Sequence, residues 1–168
     1  MRAKTRKQRY LAKQPSAQQF PIRLTAINFR CDGNLAYLIR TAACFGFEGV
    51  DVIGYLPSRR TLQNDSGSLV DFVEIAQFDD PVSWLNKTQI QGETLVAAEL
   101  CEDAEKLSDF KWPQSHLNII VGNETSGVPA GILKHSLKVY IPMPGVGFCL
   151  NTAQTANILA YSAVQQYI

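Results

Sequence analysis

Hydrophobic and polar positions alternate along the chain in a pattern that is typical of an α/β protein. Short apolar runs at 22–28 and 117–122 predict strands, because buried parallel strands are apolar on both faces. Between the strands, apolar residues three and four positions apart over 34–45 and 151–168 predict helices. Strands that alternate with helices predict a mostly parallel sheet flanked by helices. We therefore expect a single α/β domain.

The remaining elements are shorter. Further strands are predicted at 49–53, 70–75, 94–98 and 138–141, and shorter helices at 80–88, 103–107 and 129–135. The polar stretch 56–68 predicts a long loop, because no apolar periodicity runs through it. Residues 1–19 are basic and rich in glutamine, again without periodicity, so we expect a flexible basic arm ahead of a domain that spans 20–168, with a helical turn near Tyr10 as an option within the arm.

Composition narrows the class of protein. A chain of 168 residues with 46% hydrophobic and 18% charged residues fits one globular domain. No apolar run is long enough to span a bilayer, and the basic N-terminus lacks the apolar segment of a secretory signal, so we expect a cytoplasmic protein without a membrane partner. The four cysteines and two histidines have no zinc-site spacing, so no metal is expected.

The net charge of +1 hides a strong asymmetry along the chain. Of the sixteen basic residues, eight precede the first acidic residue, Asp32, which leaves eight basic against fifteen acidic residues in the remainder. A basic arm on an acidic body is typical of nucleic-acid contact through phosphates, although a tail that only aids solubility has the same composition. The residues predicted to make such contacts, in the arm and in the 56–68 loop, are Arg6, Lys7, Arg9, Arg59 and Arg60.

Three loops that follow predicted strands are candidates for a ligand site. They span 28–34, 122–129 and 142–151, and the last two are rich in Gly and Pro. Ligands of parallel α/β sheets bind at the carboxyl ends of the strands. Neither the G-x-G-x-x-G nor the G-x-x-x-x-G-K-[ST] pattern of phosphate-binding loops occurs, which favours a cofactor without phosphates, such as S-adenosylmethionine.

The three loops together resemble the motifs of the SpoU-TrmH family of RNA 2′-O-methyltransferases, in the SPOUT superfamily. That family carries N-x-x-x-x-G-N…R-T-A…F-G, then G-[ST/N]-E-x-x-G, then I-P-M-x-G-x-x-x-S-L-N at the start of a helix. This sequence has NFRCDGNLAYLIRTAACFG, VGNETSGVP and IPMPGVGFCLNTAQTANI in the same order. The resemblance extends over about residues 21–165.

The resemblance implies a deep trefoil knot in the C-terminal part of the domain, a homodimer and S-adenosylmethionine as the cofactor. It also implies which residues bind that cofactor, although plain core packing would explain some of them as well. Carried over position by position, the cofactor-binding residues are Ala97, Ala98, Gly122, Glu124, Ile141, Met143, Cys149 and Leu150.

The resemblance also implies catalytic residues, which are Arg40, Asn34, Glu124 and Asn151. An arginine can hold an RNA phosphate and stabilise the alkoxide that forms at a ribose 2′-oxygen. A helix-surface ion pair of Arg40 with Glu48 or Asp51 is the alternative. Asn151 is also expected to cap the last helix.

The sequence departs from the family pattern at Cys149, where serine is usual. A thiol is a weaker hydrogen-bond donor than a hydroxyl, so activity or specificity is expected to differ if that serine orients the substrate. Cys31 and Asp32 also replace a common Asp-Pro pair, and Thr152 and Gln154 make the start of the last helix unusually polar.

The function that follows is methyl transfer from S-adenosylmethionine to the ribose 2′-OH of structured RNA, with tRNA favoured over rRNA. Two alternatives stay open. One is a catalytically weak, knotted RNA-binding or assembly protein, and the other is methylation of a base.

Overall fold

The protein, described here over residues 4–168 by a computed structural model, is built around one seven-stranded sheet. Its strands are β1 (Phe20–Ile27), β2 (Phe47–Ile53), β3 (Glu74–Phe78), β4 (Thr94–Ala98), β5 (Glu105–Lys106), β6 (Leu117–Val121) and β7 (Leu137–Tyr140). They lie in the order β3-β2-β1-β6-β4-β7-β5, and every pair of neighbours among the described strands is parallel. The expected single α/β domain is confirmed.

The helices are α1 (Arg6–Lys13), α2 (Asp32–Phe45), α3 (Arg59–Ser66), α4 (Pro81–Gln91), α5 (Ala130–Leu133) and α6 (Thr152–Val164). Short 3-10 turns follow α1 and α3, at Gln14–Ser16 and Leu69–Phe72. Local capping sets helix starts, as at α4, where the Asp80 carboxylate accepts the N–H groups of Val82 and Ser83. Across residues 4–168, no helix combines the length and the apolar character needed to cross a membrane.

Helices cover both faces of the sheet, as the hydrophobic pattern predicted. On one face, α2 and α6 contribute Leu38 and Leu159 to a core that also contains Ile119. On the other face, Trp84 of α4 is fully buried in a second core with Ile120. Because side chains alternate along a strand, Ile119 and Ile120 of β6 enter opposite cores, which explains why this strand is apolar except at Asn118.

The stretch 56–68, predicted to be a loop, contains helix α3. Its sequence RRTLQNDS has a single apolar residue, Leu62, so no apolar stripe marks it as a helix. The helix begins instead at Ser58, whose hydroxyl accepts the Thr61 N–H at 3.3 Å, and it is held by the burial of Leu62. The Ser58 cap and the buried Leu62 therefore stabilise a helix that the absence of apolar periodicity did not predict.

Two other predicted elements are also wrong. Residues 70–75 were expected to form a strand, but Val70 turns into the core from a 3-10 turn and β3 begins only at Glu74. Residues 103–107 were expected to form a helix, but β5 lies there as an edge strand. The Leu107 N–H donates to the Tyr140 carbonyl at 2.8 Å, so backbone pairing with β7 outweighs the weak helical pattern.

The basic arm has more regular structure than the sequence predicted, because the helical turn considered near Tyr10 is part of a helix of 8 residues. Residues 1–3 lie outside the described part, and α1 follows with a capping box in which Thr5 and Gln8 each bond the other's backbone N–H. α1 has no buried residue, so hydrophobic periodicity could not have revealed it. The division of the chain into an arm and a domain at residue 19 stays a prediction.

A buried charge network joins strands β1, β2 and β6 to α4. The wholly buried carboxylate of Asp51 accepts hydrogen bonds from Arg23 (2.9 Å), Trp84 (3.0 Å), Lys87 (2.9 Å) and Asn118 (3.1 Å). Burial by itself would raise the pKa of Asp51, but the cations of Arg23 and Lys87 outweigh it and lower that pKa. The carboxylate is therefore charged and fully bonded in the core.

Replacing Asp51 with alanine is expected to cost about 3 kcal/mol of unfolding free energy, because Arg23 loses its buried partner and keeps only the exposed Glu74, while Lys87 keeps one buried partner, Glu93. Urea unfolding measures this loss. Since the folded-state pKa of Asp51 is lowered, its stabilisation is present above its ordinary value of 3.8 and is lost as the pH falls through the lower folded-state value. Glu102→Ala removes an exposed carboxylate as a control, and equal stabilities of the two variants would contradict the network's role.

Candidate functional site

Three loops meet at the edge of the sheet where the strands end, as the sequence predicted. They follow β1, β6 and β7 and span 28–34, 122–129 and 142–151. The second and third of these loops, with the end of β4, line a cleft of about 480 Å³, a volume suited to a small molecule.

A single carboxylate links the first loop to the second. Glu124 accepts hydrogen bonds from the backbone N–H groups of Arg30 at 2.9 Å and Cys31 at 3.4 Å, and from the Asn34 side-chain amide at 2.7 Å. Burial by itself would raise the pKa of Glu124, but these donors lower it below its ordinary value. Glu124 is therefore an ionised anchor for the first loop.

The third loop is joined to the same anchor through two asparagines. The Asn151 amide donates to the Asn34 side-chain oxygen at 3.0 Å, and Asn34 in turn donates to Glu124. The Asn151 side-chain oxygen accepts the Ala153 N–H at 2.9 Å, which makes it the expected cap of α6. Three of the four predicted catalytic residues thus form one continuous chain of hydrogen bonds across the three loops.

The second loop is a tight turn that leaves no room for side chains at its base. A β-carbon on Gly122 would lie 2.2 Å from the Gly127 carbonyl carbon, so only glycine fits there. The Asn123 oxygen accepts the N–H groups of Thr125 and Ser126, and its amide donates to the Asn28 carbonyl. The turn therefore holds Glu124 toward the first loop.

Nearly all of the predicted cofactor-binding residues line the 480 Å³ cleft. The exception is Ala97, which is fully buried in the core beside α4. Ala97 and Ala98 point to opposite faces of β4 because side chains alternate along a strand, and only Ala98 reaches the cleft. The residues on the cleft are Ala98, Gly122, Glu124, Ile141, Met143, Cys149 and Leu150.

The fourth predicted catalytic residue, Arg40, lies on a second cleft between α2 and α6. This cleft has a volume of about 520 Å³, and Asn34 and Asn151 also line it. Asn151 lies on both clefts, so the hydrogen-bonded chain forms part of the wall between them. Asn34 is in the first turn of α2 rather than in the preceding loop.

The proposed alternative for Arg40, a surface ion pair, is not formed. Glu48 lies against His116 and Asp51 is taken up by Arg23 and Lys87. Within residues 4–168, no carboxylate lies within 4.0 Å of the exposed Arg40 guanidinium. Its charge is therefore available to an anion.

The residues predicted to contact nucleic acid separate into two groups. Lys7 and Arg59 both pair with the Asp71 carboxylate, and so contribute to packing α1 and α3 against the body. The other three, Arg6, Arg9 and Arg60, are exposed and make no ion pair in the described part of the chain.

The motif comparison missed several residues on the cofactor-type cleft. Glu99 lines it directly after β4 and accepts the Val128 N–H at 2.9 Å, which steadies the end of the second loop. Phe148 and Thr155 also line it. Glu99 had a signal that could have found it, since an acidic residue follows an apolar strand at the ligand-binding edge. In residues 4–168, no group of three His, Cys, Asp or Glu side chains is arranged to hold a metal ion.

Comparison with known proteins assigns the family. A model described as the SpoU rRNA Methylase family matches residues 21–161. The chain belongs to this family. The resemblance of the three loops to SpoU-TrmH motifs is thereby confirmed, and the match includes every predicted cofactor-binding residue and every predicted catalytic residue.

Individual relatives of this SpoU-family chain are distant. It is 32% identical over 134 residues to 23S rRNA (guanosine(2553)-2′-O)-methyltransferase RlmP of Bacillus subtilis (strain 168), covering 77% of this chain and 52% of that protein. The chain spans about half the length of the curated relatives that it matches.

Solved structures share the fold. An AdoMet-bound rRNA methyltransferase from Sinorhizobium meliloti is 21% identical with a TM-score of 0.82, covering 90% of this chain and 58% of that one. A structure concerned with the 2-OH methylation of C/U34 on tRNA is 24% identical with a TM-score of 0.77, covering 88% of this chain and 98% of that one.

Replacing Glu124 with glutamine is expected to loosen the first loop, because the amide nitrogen faces groups that are themselves donors. Amide hydrogen exchange of Arg30 and Cys31 measures this. In the wild type, protection at both amides should hold above the ordinary carboxyl pKa of 4.5 and be lost as the pH falls through the lower folded-state value. In Glu124→Gln, protection of these two amides should be weak at every pH.

Glu102→Gln is the matched control, since it changes an exposed carboxyl outside the three loops. Equal protection of Arg30 and Cys31 in the wild type and in Glu124→Gln would show that Glu124 does not hold the first loop.

Proposed function

We propose that this chain transfers the methyl group of S-adenosylmethionine to the ribose 2′-OH of structured RNA. The observation that carries the proposal is the chain of hydrogen bonds from Glu124 through Asn34 to Asn151, which joins a cofactor-sized cleft to the cleft that bears Arg40. Membership of the SpoU family and similarity to a 2′-O-methyltransferase of rRNA support the same reaction.

The chemistry of the 480 Å³ cleft fits S-adenosylmethionine. Its lining includes the apolar side chains of Ile141, Met143 and Leu150, which suit an adenine ring, and the glycines of a tight turn. Among residues 4–168, two carboxylates, Glu99 and Glu124, line this cleft and no lysine or arginine does, which suits a cationic ligand without phosphates. Bound there, S-adenosylmethionine supplies an electrophilic methyl group.

The remaining chemistry belongs to Arg40 and to the hydrogen-bonded chain. The Arg40 guanidinium is a cation, so it binds an RNA phosphate and stabilises the negative charge that develops on the 2′-oxygen as the hydroxyl proton passes to solvent water. Three donors already occupy the Glu124 carboxylate and its pKa is lowered, so it is a poor proton acceptor. We assign Glu124 and Asn34 a positioning role, with Asn151 fixing the start of α6.

Among RNAs, we propose tRNA as the substrate. Similarity to a structure concerned with the 2-OH methylation of C/U34 on tRNA supports this choice. A ribose rather than a base target is supported by the 2′-O activity in the names of those relatives.

The experiment is transfer of labelled methyl from S-adenosylmethionine to separate tRNA and rRNA pools, followed by nuclease digestion and mass spectrometry. We expect 2′-O-methylated nucleosides from tRNA, and a fall in kcat of about 10²–10³ in Arg40→Ala. Arg40→Lys should recover little, because an ammonium lacks the planar fork. Lys111→Ala, which removes an exposed charge elsewhere, is the control.

Three other outcomes would each contradict a different part of this proposal. Equal labelling by the wild type and Arg40→Ala would remove the proposed role of Arg40. A methyl group found on a base would replace ribose methylation with base methylation. Binding of S-adenosylmethionine without transfer to either pool would favour a knotted RNA-binding or assembly protein.

We further propose that the chain acts as a homodimer. Large apolar side chains are exposed on the third loop and on the outer face of α6. On the third loop, Val146 is fully exposed and Phe148 is 80% exposed. Ile158 and Tyr161 continue the apolar surface along α6. Such a surface on one side of the cofactor-type cleft is typical of a protein interface.

Changing Ile158 and Tyr161 together to aspartate is expected to convert a two-chain species into a single-chain species, because charges replace the buried apolar contact. Sedimentation velocity measures the mass. Ile90→Asp changes an equally large side chain, 86% exposed on α4, and should leave the mass unaltered. A wild-type protein that sediments as a single chain at micromolar concentration would contradict the dimer.

We also propose that the C-terminal part of the domain is threaded as a trefoil knot. Support comes from the order of the strands. The chain runs from β4 to the edge strand β5 before it reaches β6, and the connection from β6 to β7 then passes β4 again. Two successive connections therefore cross the same part of the sheet, which simple α/β folds avoid.

A further inference from the structure

Helix α1 is fastened to the body of the domain by two contacts. The Lys7 ammonium lies 2.9 Å from the Asp71 carboxylate, whose side chain is only 14% exposed. The Tyr10 ring packs edge-on against Phe72 with the ring centres 5.8 Å apart. Asp71 also pairs with Arg59 of α3, so one carboxylate holds α1 and α3 together.

This docking brings Arg6 close to Arg40. A β-carbon built on Gly67, the residue after α3, would lie 3.2 Å from Arg40 Nη1, 3.8 Å from Arg6 Nη1 and 4.0 Å from the Tyr10 hydroxyl. Two guanidinium groups, separated by 33 residues in sequence, therefore converge on one point of the surface. Gly67 has a φ of +66° and leaves the space between them open.

The Arg6 and Arg40 guanidinium groups have no partner of opposite charge among residues 4–168. Neither guanidinium has a carboxylate within 4.0 Å there, and Asp71 is taken up by Lys7 and Arg59. Like charges that converge on one point repel each other, and an anion bound between them offsets that repulsion. Planar guanidinium groups bind phosphate oxygens in pairs, which makes a phosphodiester the fitting anion.

We propose that Arg6 binds the RNA backbone beside Arg40, so that the N-terminal helix is part of the substrate site. This rests on the proposed function, because it gives RNA as the substrate. Arg6 and Arg40 hold neighbouring phosphates or two oxygens of one phosphate, and α1 sets their spacing. Lys7 and Tyr10 act by positioning Arg6, and Asp71 is the anchor of that arrangement.

The test compares Arg6→Ala with Lys13→Ala, which removes one positive charge from the other end of the same helix. Methyl transfer to tRNA gives kcat and KM, and filter binding of tRNA across a salt series gives Kd and its salt dependence. For Arg6→Ala we expect KM and Kd for RNA to rise about tenfold and the salt slope to fall by about 1. Affinity for S-adenosylmethionine should be unchanged.

Two further variants separate contact from packing. Arg6→Lys keeps the charge, so it should restore most of the salt slope while leaving part of the affinity loss. Asp71→Asn loosens α1. As a single change it should raise the KM for RNA, but it should have little added effect in a protein that already carries Arg6→Ala. Thermal unfolding of each variant controls for loss of the fold.

The inference is overturned if Arg6→Ala and Lys13→Ala have the same small effect, with KM and Kd for RNA raised about twofold or less and the salt slope unchanged in both. That result is distinct from failure of the proposed function, in which the wild type transfers no methyl group to RNA. Filter binding of tRNA still tests Arg6 in that case, because an Arg6 contact predicts the same loss of affinity and slope without any catalysis.

Discussion

The candidate site depends on the Glu124 carboxylate. It accepts backbone hydrogen bonds from the first loop and an amide hydrogen bond from Asn34, which passes the connection on to Asn151 at the start of α6. An ionised carboxylate with several donors is a strong local constraint, and here it joins segments about ninety residues apart. The shape of the cofactor-type cleft and the placement of Arg40 both follow from that connection, because its middle member, Asn34, lies in the first turn of α2 and its last member, Asn151, caps α6.

The sheet makes this connection possible. Its parallel strands end at one edge, so the loops after β1, β6 and β7 have to meet, and the buried Asp51 network stabilises two of these strands, β1 and β6, from within. The charged groups divide accordingly. Asp51 and its partners are buried in the core, Glu124 organises the ligand-binding edge, and Arg6 and Arg40 face outward without carboxylate partners in the described part of the chain.

Much of this could be predicted from the sequence, for a definite reason. Buried parallel strands and the loops after them carry strong local patterns, so the α/β domain and the positions of the three loops followed from periodicity and motifs. Contacts between distant residues have no local pattern. Which of Ala97 and Ala98 faces the cleft depends on the orientation of β4 in the sheet, which the sequence does not show. Helix α3 lacks an apolar stripe and is held by a buried contact of Leu62. The docking of α1 depends on Asp71, which is sixty-four residues from Lys7. The roles of Asn34, Arg40, Glu124 and Asn151 in the reaction stay predictions.

The central claim is that one carboxylate organises the three loops into a cofactor site. Calorimetric titration of S-adenosylmethionine into the wild type, Glu124→Gln and the control Glu102→Gln tests it most directly. At least a tenfold loss of affinity, or about 1.4 kcal/mol, is expected for Glu124→Gln alone. Equal affinities in all three proteins would contradict the claim.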